Sequence, residues 1–470
     1  MRQVLVIYDD SKMPGADIRS ITGNKSYGNT IFKRITLAEH TARLLGEIEV
    51  IAGFTAPEHA AHKLSLPEYK DAAVMVLFSQ FIISDKKAFA LLAEKAVYAH
   101  ENYKTVSDEG KISSVIFKDG TAYLENTADC TDFAAINCAA FTDISDINNF
   151  RQFITSGFEA RFFNAVSGDE YTVIKRSSNK EKLKKEYEFY YLLPDFMKQW
   201  FVCPFDYKED NNGASYKMER FHMADLAIRY VHGAIDLDEF DDILDKLFYF
   251  ASIRASRKIT KAEYEDCAAA LYIDKVDKRI AELKETKEFE RLSRLISDFT
   301  PYSCIDEIVS AYKDLYNTIR RNKRFLSVSV AGHGDMCFSN ILFSREASLL
   351  KLIDPKGALS EEEIYTDPYY DFAKLSHSVC GYYDFFNSNR YEITFDETLG
   401  AHLTLDFDNS DYVKHFKDKL DENNIDFKLI RLYECSLFLS MLPLHIDRPK
   451  KVFAFVLNAI AIIESLKESK

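Results

Sequence analysis

Three side chains that could share one chemical task stand close together near residue 340. Asp335 and Asn340 lie in "AGHGDMCFSNILF" (331–343), and Asp354 ends the next apolar run, "LLKLID". A carboxylate can accept the proton of a hydroxyl group, and amide and carboxylate oxygens are ligands that Mg²⁺ prefers. The runs "NILF" and "LLKLID" predict a hairpin that returns Asp354 to the side of Asn340. The segment therefore predicts a base and a magnesium site around one cavity.

The spacing D-x-x-x-x-N is that of a kinase catalytic loop. It predicts Asp335 as the catalytic base, with Asn340 and Asp354 as the metal ligands. The tripeptide His-Gly-Asp alone could also be a turn, with Asp335 as a cap and His333 bonded to a backbone carbonyl. The combination with Asn340 and a carboxylate at a strand end favours the catalytic interpretation.

Such a site also needs a cation for the nucleotide phosphates. Lys175 ends the β-branched run "YTVIK", and Glu186 on the next predicted helix could form an ion pair with it. Glu181 and Glu188 are the alternatives on that helix; neighbouring tyrosines favour a buried position for Glu186. Lys175 could instead be a solvated residue of an edge strand.

The elements that must position these residues follow from turn signals and periodicity. A hairpin is predicted around Ser167-Gly168-Asp169, and the charged amphipathic segment 180–194 predicts a helix. The strand "SYKMERF" (215–221) follows the turn Asn211-Asn212-Gly213. Helical patterns then dominate to the C-terminus, interrupted by the segment around Asp335.

The first 150 residues alternate between strand and helix signals. Apolar runs at 4–8 and 72–78 predict buried parallel strands, and the patterns at 30–45 and 86–100 predict helices. Further strands are predicted at 113–117 and 121–125, around Asp119-Gly120. This alternation predicts an α/β layer domain.

Composition limits the functions that the chain can have. It has 470 residues, with 47% hydrophobic and 29% charged residues, as in globular proteins of two or three domains. Its 60 basic and 74 acidic residues give a net charge of −14, which argues against nonspecific nucleic-acid binding. Eight scattered cysteines indicate reduced thiols, and no apolar run is long enough for a membrane helix. We expect a cytoplasmic protein without membrane insertion.

Over about residues 150–470 the chain resembles the aminoglycoside phosphotransferase and choline kinase family, the small-molecule branch of the protein-kinase-like fold. "HGDMCFSN" is similar to the family's HGDxxxxN loop, "LIDP" to its metal-binding strand end, and "DPYYDFAKLSHSV" (367–379) to the segment that follows. The resemblance implies a kinase-like N-lobe at 151–225 and a mostly helical C-lobe at 226–470 with the catalytic loop and the acceptor site. With the α/β domain predicted at 1–150, the expected fold class is α/β plus α+β.

The same resemblance implies roles for individual residues. Asp335 would be the base, Asn340 and Asp354 would bind Mg²⁺, and Lys175 with Glu186 would hold the phosphates of ATP. "YKMERF" would be the hinge beside adenine, and its predicted nucleotide contacts are Met218, Glu219 and Phe221. His333 and the buried Asp371 would support the loop. The implied activity is transfer of the γ-phosphoryl group of ATP to a hydroxyl of a small acceptor.

Residues 1–150 resemble a sugar-phosphate nucleotidyltransferase domain in their opening strand, loop and helix. The family's metal-binding carboxylate would fall near Gln80, and a neutral amide there is a poor Mg²⁺ ligand. We therefore favour a domain for structure, dimerisation or sugar binding over an active transferase. A fusion of this kind would suit activation of a head group for surface (capsular) polysaccharide or lipid, and a homodimer is one option.

The acceptor is open between choline- or ethanolamine-like molecules, sugars and aminoglycoside-like molecules. The acidic helix "DLDEFDDILDK" (236–246) could attract a cation or be a solvated face. Aromatic residues at 369–370, 382–383 and 385–386 could cage a quaternary ammonium group or be part of the core. Two other functional classes remain: a pseudokinase scaffold that binds nucleotide without transfer, and a bifunctional kinase/nucleotidyltransferase.

Overall fold

The computed structural model describes most of the chain, in nine stretches. They are residues 2–32, 35–107, 110–126, 130–156, 164–168, 171–321, 323, 325–398 and 400–468. Contacts between backbones divide it into two compact units, Met1–Glu159 with His232–Ala234, and Ala160–Val231 with Ile235–Lys470. A helix at Ile147–Ser156 runs through residue 150, where the sequence places a domain boundary.

The first unit alternates short strands with helices. Its strands are β1 Val4–Asp9, β2 Ile31–Phe32, β3 Ile35–Thr36, β4 Ile51–Thr55, β5 Ala73–Phe78, β6 Phe81–Ile83, β7 Tyr103–Val106, β8 Ile112–Phe117, β9 Ala134–Asn137 and β10 Phe141–Asp143. Its helices are α1 Ala16–Thr22, α2 Leu37–Leu45, α3 Pro57–Leu64, α4 Lys86–Val97, α5 Gly120–Leu124 and α6 Ile147–Ser156.

A six-stranded sheet in the order β4-β1-β5-β8-β7-β9 is the centre of this unit. β1 is parallel to β4 and β5, β8 is antiparallel to its neighbours β5 and β7, and β9 is parallel to β7. Alternate residues of β1 and β5 pack into two apolar clusters, one with α4 and one with α3. Both faces are covered, which explains why the central strands are continuously apolar.

Two sequence predictions in this unit are wrong in detail. Residues 121–124 lie in helix α5 and not in a strand, and Glu125 ends the helix, because the Asp119 side chain accepts from the N–H of Ala122 at 2.8 Å and so caps a helix. The helix predicted at 30–45 begins only at Leu37. Thr36 and Glu39 form a capping box there, and β2 and β3 precede it.

The second unit begins with an antiparallel sheet of four strands, β11 Asn164–Gly168, β12 Thr172–Ser177, β13 Pro204–Asp210 and β14 Gly213–Glu219. Their order is β11-β12-β14-β13, and helices α7 Lys180–Leu192 and α8 Asp195–Lys198 connect β12 to β13. The predicted turn at 211–213 joins β13 to β14. Of the hairpin turn predicted at 167–169, Asp169 lies outside the described residues, while β11 and β12 pair as a hairpin requires.

Helices dominate the rest of the unit. They are α9 Leu226–Val231, α10 Leu237–Ile253, α11 Lys261–Ala269, α12 Lys275–Lys284, α13 Phe289–Phe299, α14 Ile305–Arg321, α15 Tyr370–Val379, α16 Tyr383–Asn387, α17 Ser410–Glu422, α18 Phe427–Met441 and α19 Pro449–Glu468. The strands between them are β15 Ser256–Lys258, β16 Val328–Ala331, β17 Ile341–Ser344, β18 Leu349–Leu352, β19 Tyr365–Thr366, β20 Glu392–Phe395 and β21 Ala401–Thr404.

The largest apolar core of this unit lies among the long helices. Helix α18 is buried over most of its length and packs against α12, α14, α15 and α19. Several of the aromatic residues considered as an ammonium cage, Tyr370, Tyr383 and Phe386 among them, belong to this core. None of the helices in the described part of the chain combines the length and apolar character that crossing a bilayer requires.

Candidate active site

The loop with Asp335 and Asn340 lies between two short strands. β16 enters it and β17 leaves it, so both ends of the loop are fixed by strand pairing. Inside the loop, Asn340 Nδ2 donates to the carbonyl oxygen of Asp335 at 2.8 Å. This bond uses the nitrogen of the amide. The side-chain oxygen, which is the atom type that Mg²⁺ binds, is not used by it.

Asp371 at the start of α15 holds the other end of the loop. Its two carboxylate oxygens accept from the backbone N–H groups of His333 and Gly334, at 3.0 and 2.8 Å. Arg254 Nη1 lies 3.0 Å from Asp371 Oδ2, and both side chains are buried. Gly334 has a φ of 76°, in the region that favours glycine. The sequence prediction placed Asp371 as a support; its partner Arg254 was not predicted.

His333 connects the loop to the strand end before Asp354. Its Nε2 lies 2.9 Å from the carbonyl oxygen of Ile353, and its Nδ1 accepts from the N–H of Asp335 at 3.2 Å. This pattern places the ring proton on Nε2. Burial lowers the pKa of His333, although nearby carboxylates oppose the effect. A neutral imidazole bonded on both sides is a brace between two chain segments.

Asp354 is placed by the hairpin that the sequence predicts. β17 and β18 pair antiparallel, and the N–H of Ile353 donates to the carbonyl oxygen of Asn340 at 3.0 Å. The backbone of Asn340 therefore adjoins that of the residue before Asp354. Asp354 itself has a φ of 55°, in the left-handed region, and its side chain is 40% exposed.

Lys175 lies between two carboxylates. Its Nζ is 2.6 Å from Glu186 Oε2 and 2.8 Å from Asp354 Oδ1, and Tyr216 OH lies 3.5 Å from the same oxygen of Glu186. Burial lowers the pKa of Lys175, but Asp354, Tyr216 and Glu186 raise it more, so it lies above its usual range. Burial raises the pKa of Glu186. Of the three glutamates considered on α7, Glu186 is the one in contact with Lys175.

Asn340 and Asp354 fit a magnesium ion as part of its ligand set. Both offer hard oxygen atoms, the amide oxygen by the bond described above and the carboxylate by its partial exposure. In the described residues no group of three or more His, Cys, Asp or Glu side chains could hold a metal. An ion here would take its other ligands from phosphates and water, which is how Mg²⁺ binds with nucleotides.

A narrow cleft opens between the four-stranded sheet and the β17–β18 hairpin. It is lined by Glu186, Phe189, Tyr190, Phe201, Val202, Pro204, Tyr216, Met218, Leu352, Ile353, Asp354 and Pro355. Met218, predicted beside the nucleotide base, is among these residues. Glu219 is exposed, and the ring of Phe221 lies below Lys351 Nζ, 5.3 Å from the ring centre. The cleft thus combines an apolar wall with the Lys175 cluster.

Lys374 is a site residue that sequence reasoning missed. It lies on α15, and its Nζ is 2.9 Å from Asp335 Oδ1. Burial lowers the pKa of Lys374, but Asp335, Tyr370 and Cys337 together raise it more, so the lysine is charged beside the carboxylate. The available signal was a lone lysine within the buried pattern "DFAKLSHSV". A buried lysine needs a partner, and Asp371 in the same helix already had a role.

In the first unit, Gln80 follows β5 and is buried at the carboxyl end of the sheet. Its Oε1 has no hydrogen-bond partner among the described residues. The position holds a neutral amide, as in the sequence argument. Asp10 accepts from the N–H of Gly28 at 2.8 Å and from the Ser26 hydroxyl at 2.5 Å, so this carboxylate ties down the loop after β1.

With this geometry established, comparison with known proteins gives one kind of match. The chain is similar to solved structures of aminoglycoside phosphotransferases. One is a thermostable mutant of APH(4)-Ia in ternary complex with AMP-PNP and hygromycin B, with 11% identity, a TM-score of 0.37, and coverage of 67% of this chain and 98% of that one.

Two others show the same level of likeness. The GDP complex of aminoglycoside 2'-phosphotransferase-IIIa has 14% identity, a TM-score of 0.37 and coverage of 66% and 91%. ADP-bound APH(2'')-Ib has 15% identity, a TM-score of 0.34 and coverage of 67% and 96%. No family model and no curated protein matches the sequence. Because the identities and TM-scores are this low, the function proposed below rests on the geometry of the site.

Proposed function

We propose that the chain is an ATP- and Mg²⁺-dependent small-molecule kinase, which transfers the γ-phosphoryl group to a hydroxyl of a small acceptor. The observation that supports this most directly is the position of Lys175 between Glu186 and Asp354, at 2.6 and 2.8 Å. A buried lysine held by one carboxylate and facing a second, partly exposed one is what joint binding of phosphates and metal requires.

Asp335 is the proposed base. It stands on a loop fixed by Asp371 and His333, and Lys374 holds one of its oxygens. The carboxylate accepts the acceptor's hydroxyl proton as the oxygen attacks the γ-phosphorus. The rigid loop fixes where the hydroxyl must sit, so positioning supplies much of the rate acceleration.

Asn340, Asp354 and Lys175 are the proposed binding groups for the triphosphate. Mg²⁺ bound with the nucleotide supplies neutralisation of phosphate charge. Lys175 adds a cation that Glu186 keeps in place. The apolar cleft with Met218 and Leu352 is the proposed binding site of the adenine ring of ATP. All of these groups act by position and charge, as expected for phosphoryl transfer.

An ATP-consumption screen tests this function. Purified chain is incubated with ATP, Mg²⁺ and, separately, choline, ethanolamine, sugars, sugar phosphates, sugar acids, amino acids and aminoglycosides, and ADP formation is measured. Asp335→Ala should lower transfer by roughly 10²–10⁴-fold with ATP binding intact. Asp418→Ala, an exposed carboxylate on α17, is the control and should change nothing. Unchanged turnover in Asp335→Ala contradicts the assignment.

The same experiments decide between the alternatives. A nucleotide-binding scaffold would bind ATP and form no ADP with any acceptor. A bifunctional enzyme would also release pyrophosphate from CTP, UTP or dTTP with a phosphorylated substrate. The neutral amide of Gln80 just after β5, in place of a metal-binding carboxylate, argues against it. A role of the first unit in structure, dimerisation or sugar binding stays our prediction.

A further inference from the structure

Three lysines from separate elements surround Tyr370, next to Asp335. Lys275 begins α12 and Lys374 lies on α15. Lys356 follows Asp354 by two residues. Tyr370 and Lys374 are four residues apart on α15, so both lie on the same face of that helix. We call these three lysines, together with Tyr370, the basic cluster.

One lysine of the cluster contacts Tyr370 directly, and the other two contact the loop that carries Asp335. Lys275 Nζ donates to Tyr370 OH at 2.9 Å, and Lys374 Nζ lies 2.9 Å from Asp335 Oδ1. The backbone N–H of Lys356 donates to the carbonyl oxygen of His333 at 2.9 Å, and its side chain covers Gly334. Burial raises the pKa of Tyr370, but the three lysines together lower it by more, so the pKa lies below its usual value.

The position of Lys275 is set by an unusual backbone. A π-helical segment, Ala270–Asp274, separates α11 from α12. Its Tyr272 is fully buried and stacks on Tyr433 with ring centres 3.6 Å apart, which fixes the segment in the core. One extra residue in a helix turns all later side chains by about 100°. Segments of this kind occur often at functional sites, and this one directs Lys275 to Tyr370.

Only one of the three lysines of the cluster forms an ion pair with a carboxylate in the described stretches of chain. Asp335 pairs with Lys374, and Asp371 pairs with Arg254. Within the described stretches of chain, neither Lys275 nor Lys356 forms an ion pair with a carboxylate. Other acids in this region are the exposed Asp274 next to Lys275, the partly exposed Asp354 two residues before Lys356, and the buried Asp367. Lys275, bonded to Tyr370, and Lys356, beside Gly334, thus remain available to an anion.

We propose that the acceptor is an anionic alcohol, whose phosphate or carboxylate group binds Lys275 and Lys356 while its hydroxyl meets Asp335. This inference rests on the proposed function and specifies its substrate class. In the reaction the acceptor oxygen forms a bond to the γ-phosphorus, the bond from that phosphorus to the β–γ bridging oxygen breaks, ADP leaves, and Asp335 takes the hydroxyl proton. Cationic acceptors such as choline and aminoglycosides would meet like charge here.

Binding to the full chain tests the proposal without relying on turnover. Saturating AMP-PNP with Mg²⁺ occupies the Lys175 site, and isothermal titration then compares glycerol, glycerate, glycerol 3-phosphate and choline, with acetate and inorganic phosphate as minimal anions. We expect the anionic alcohols to bind at least tenfold more tightly than glycerol and choline. The phosphate and carboxylate arms show which anion the cluster prefers.

Variants locate the binding. Lys275→Met should weaken the anionic probes at least tenfold, and Lys275→Arg should restore most of the affinity because it keeps the charge. Lys278→Met removes an exposed lysine one turn further along α12 and should leave affinity unchanged. Melting temperatures of all variants show whether each is folded. Equal or tighter binding of glycerol or choline, no binding of any anionic probe, or an unaffected Lys275→Met variant would each overturn the proposal.

Failure of this inference can be told apart from failure of the kinase assignment. Acceptor-dependent ADP formation is scored in parallel with ATP. Anion binding that depends on Lys275, but without ADP formation, contradicts the kinase and leaves the anion site in place. ADP formation with neutral or cationic acceptors alone contradicts the anionic acceptor and leaves the kinase in place.

Discussion

Lys175 Nζ lies 2.8 Å from Asp354 Oδ1, so the lysine assigned to phosphates is in direct contact with the carboxylate assigned to metal. On the other side of Lys175, Glu186 is buried and 2.6 Å away. Among the described residues, Lys175 is the only cation that forms ion pairs with both Glu186 and Asp354. Nucleotide and metal binding would have to replace its contact with Asp354.

We expect Lys175→Met to destabilise the chain by about 3–5 kcal/mol, because it leaves the buried Glu186 with only the more distant and half-exposed Lys182, 3.5 Å from its Oε1. The double variant Lys175→Met/Glu186→Gln should recover part of that loss. Urea unfolding of the two single variants and the double variant measures the coupling. Lys180→Met, at the exposed start of α7, is the control and should cost less than about 1 kcal/mol. Simple additivity of the two single changes would contradict a coupled pair.

Asp371→Asn should separate support of the loop from nucleotide binding. An amide has one oxygen where the carboxylate has two, so it cannot accept from both N–H groups of the loop. The change also removes the carboxylate that pairs with Arg254. We expect a loss of about 3–5 kcal/mol in stability and a lower kcat with unchanged ATP affinity. Unfolding curves and turnover per folded molecule test this, with Asp418→Asn as the control. Full kcat in the folded variant would refute the bracing role.

Asn340→Ala should change the metal dependence of the reaction. The side-chain oxygen is lost as a ligand, and so is the bond from Nδ2 to the carbonyl oxygen of Asp335. The Mg²⁺ concentration for half-maximal activity should rise by at least roughly tenfold. Ser339→Ala, the adjacent residue in the loop, is the matched control. The same Mg²⁺ titration curve for Asn340→Ala and the native chain would exclude Asn340 as a ligand.

Asp384 predicts a pH effect on stability. Burial raises its pKa to about 7, far above that of an unfolded aspartate. The folded chain therefore keeps a proton that the unfolded chain releases, and stability falls as pH rises from about 4 to 7, by up to about 1.4 kcal/mol for each pH unit. Asp384→Asn should flatten this dependence and raise stability at pH 8. Urea midpoints measured from pH 5 to 8 test this prediction, with Asp418→Asn as the control. If the midpoint of Asp384→Asn falls with pH as steeply as that of the control, the prediction is contradicted.

Local chemistry made much of the site predictable. The turn-forming and apolar pattern around Asp354 predicts the β17–β18 hairpin, and the tyrosines of α7 indicate the buried position of Glu186. Predictions from local sequence also failed in places. The pattern at 121–125 favours a strand, but Asp119 caps a helix that includes residues 121–124. Capping depends on one hydrogen bond, which a pattern of apolar residues does not contain.

Partnerships between distant segments could not be predicted in the same way. Nothing next to Lys374 in sequence indicates Asp335, because the packing of α15 against the loop decides that contact. The bond between Lys275 and Tyr370 likewise depends on a π-helical segment, which has no clear sequence signature. The basic cluster beside Asp335 therefore became visible only in three dimensions.

The left-handed backbone of Asp354 limits which residues a selection experiment could recover at that position. At a φ of 55° a β-branched or bulky side chain is strained, whereas Gly, Asn and Asp are tolerated. In a saturation library at 354, a screen for soluble, folded protein should return those three residues. A screen for phosphoryl transfer should return Asp alone. The backbone therefore limits to Asn and Gly the residues by which this position could lose its charge without strain.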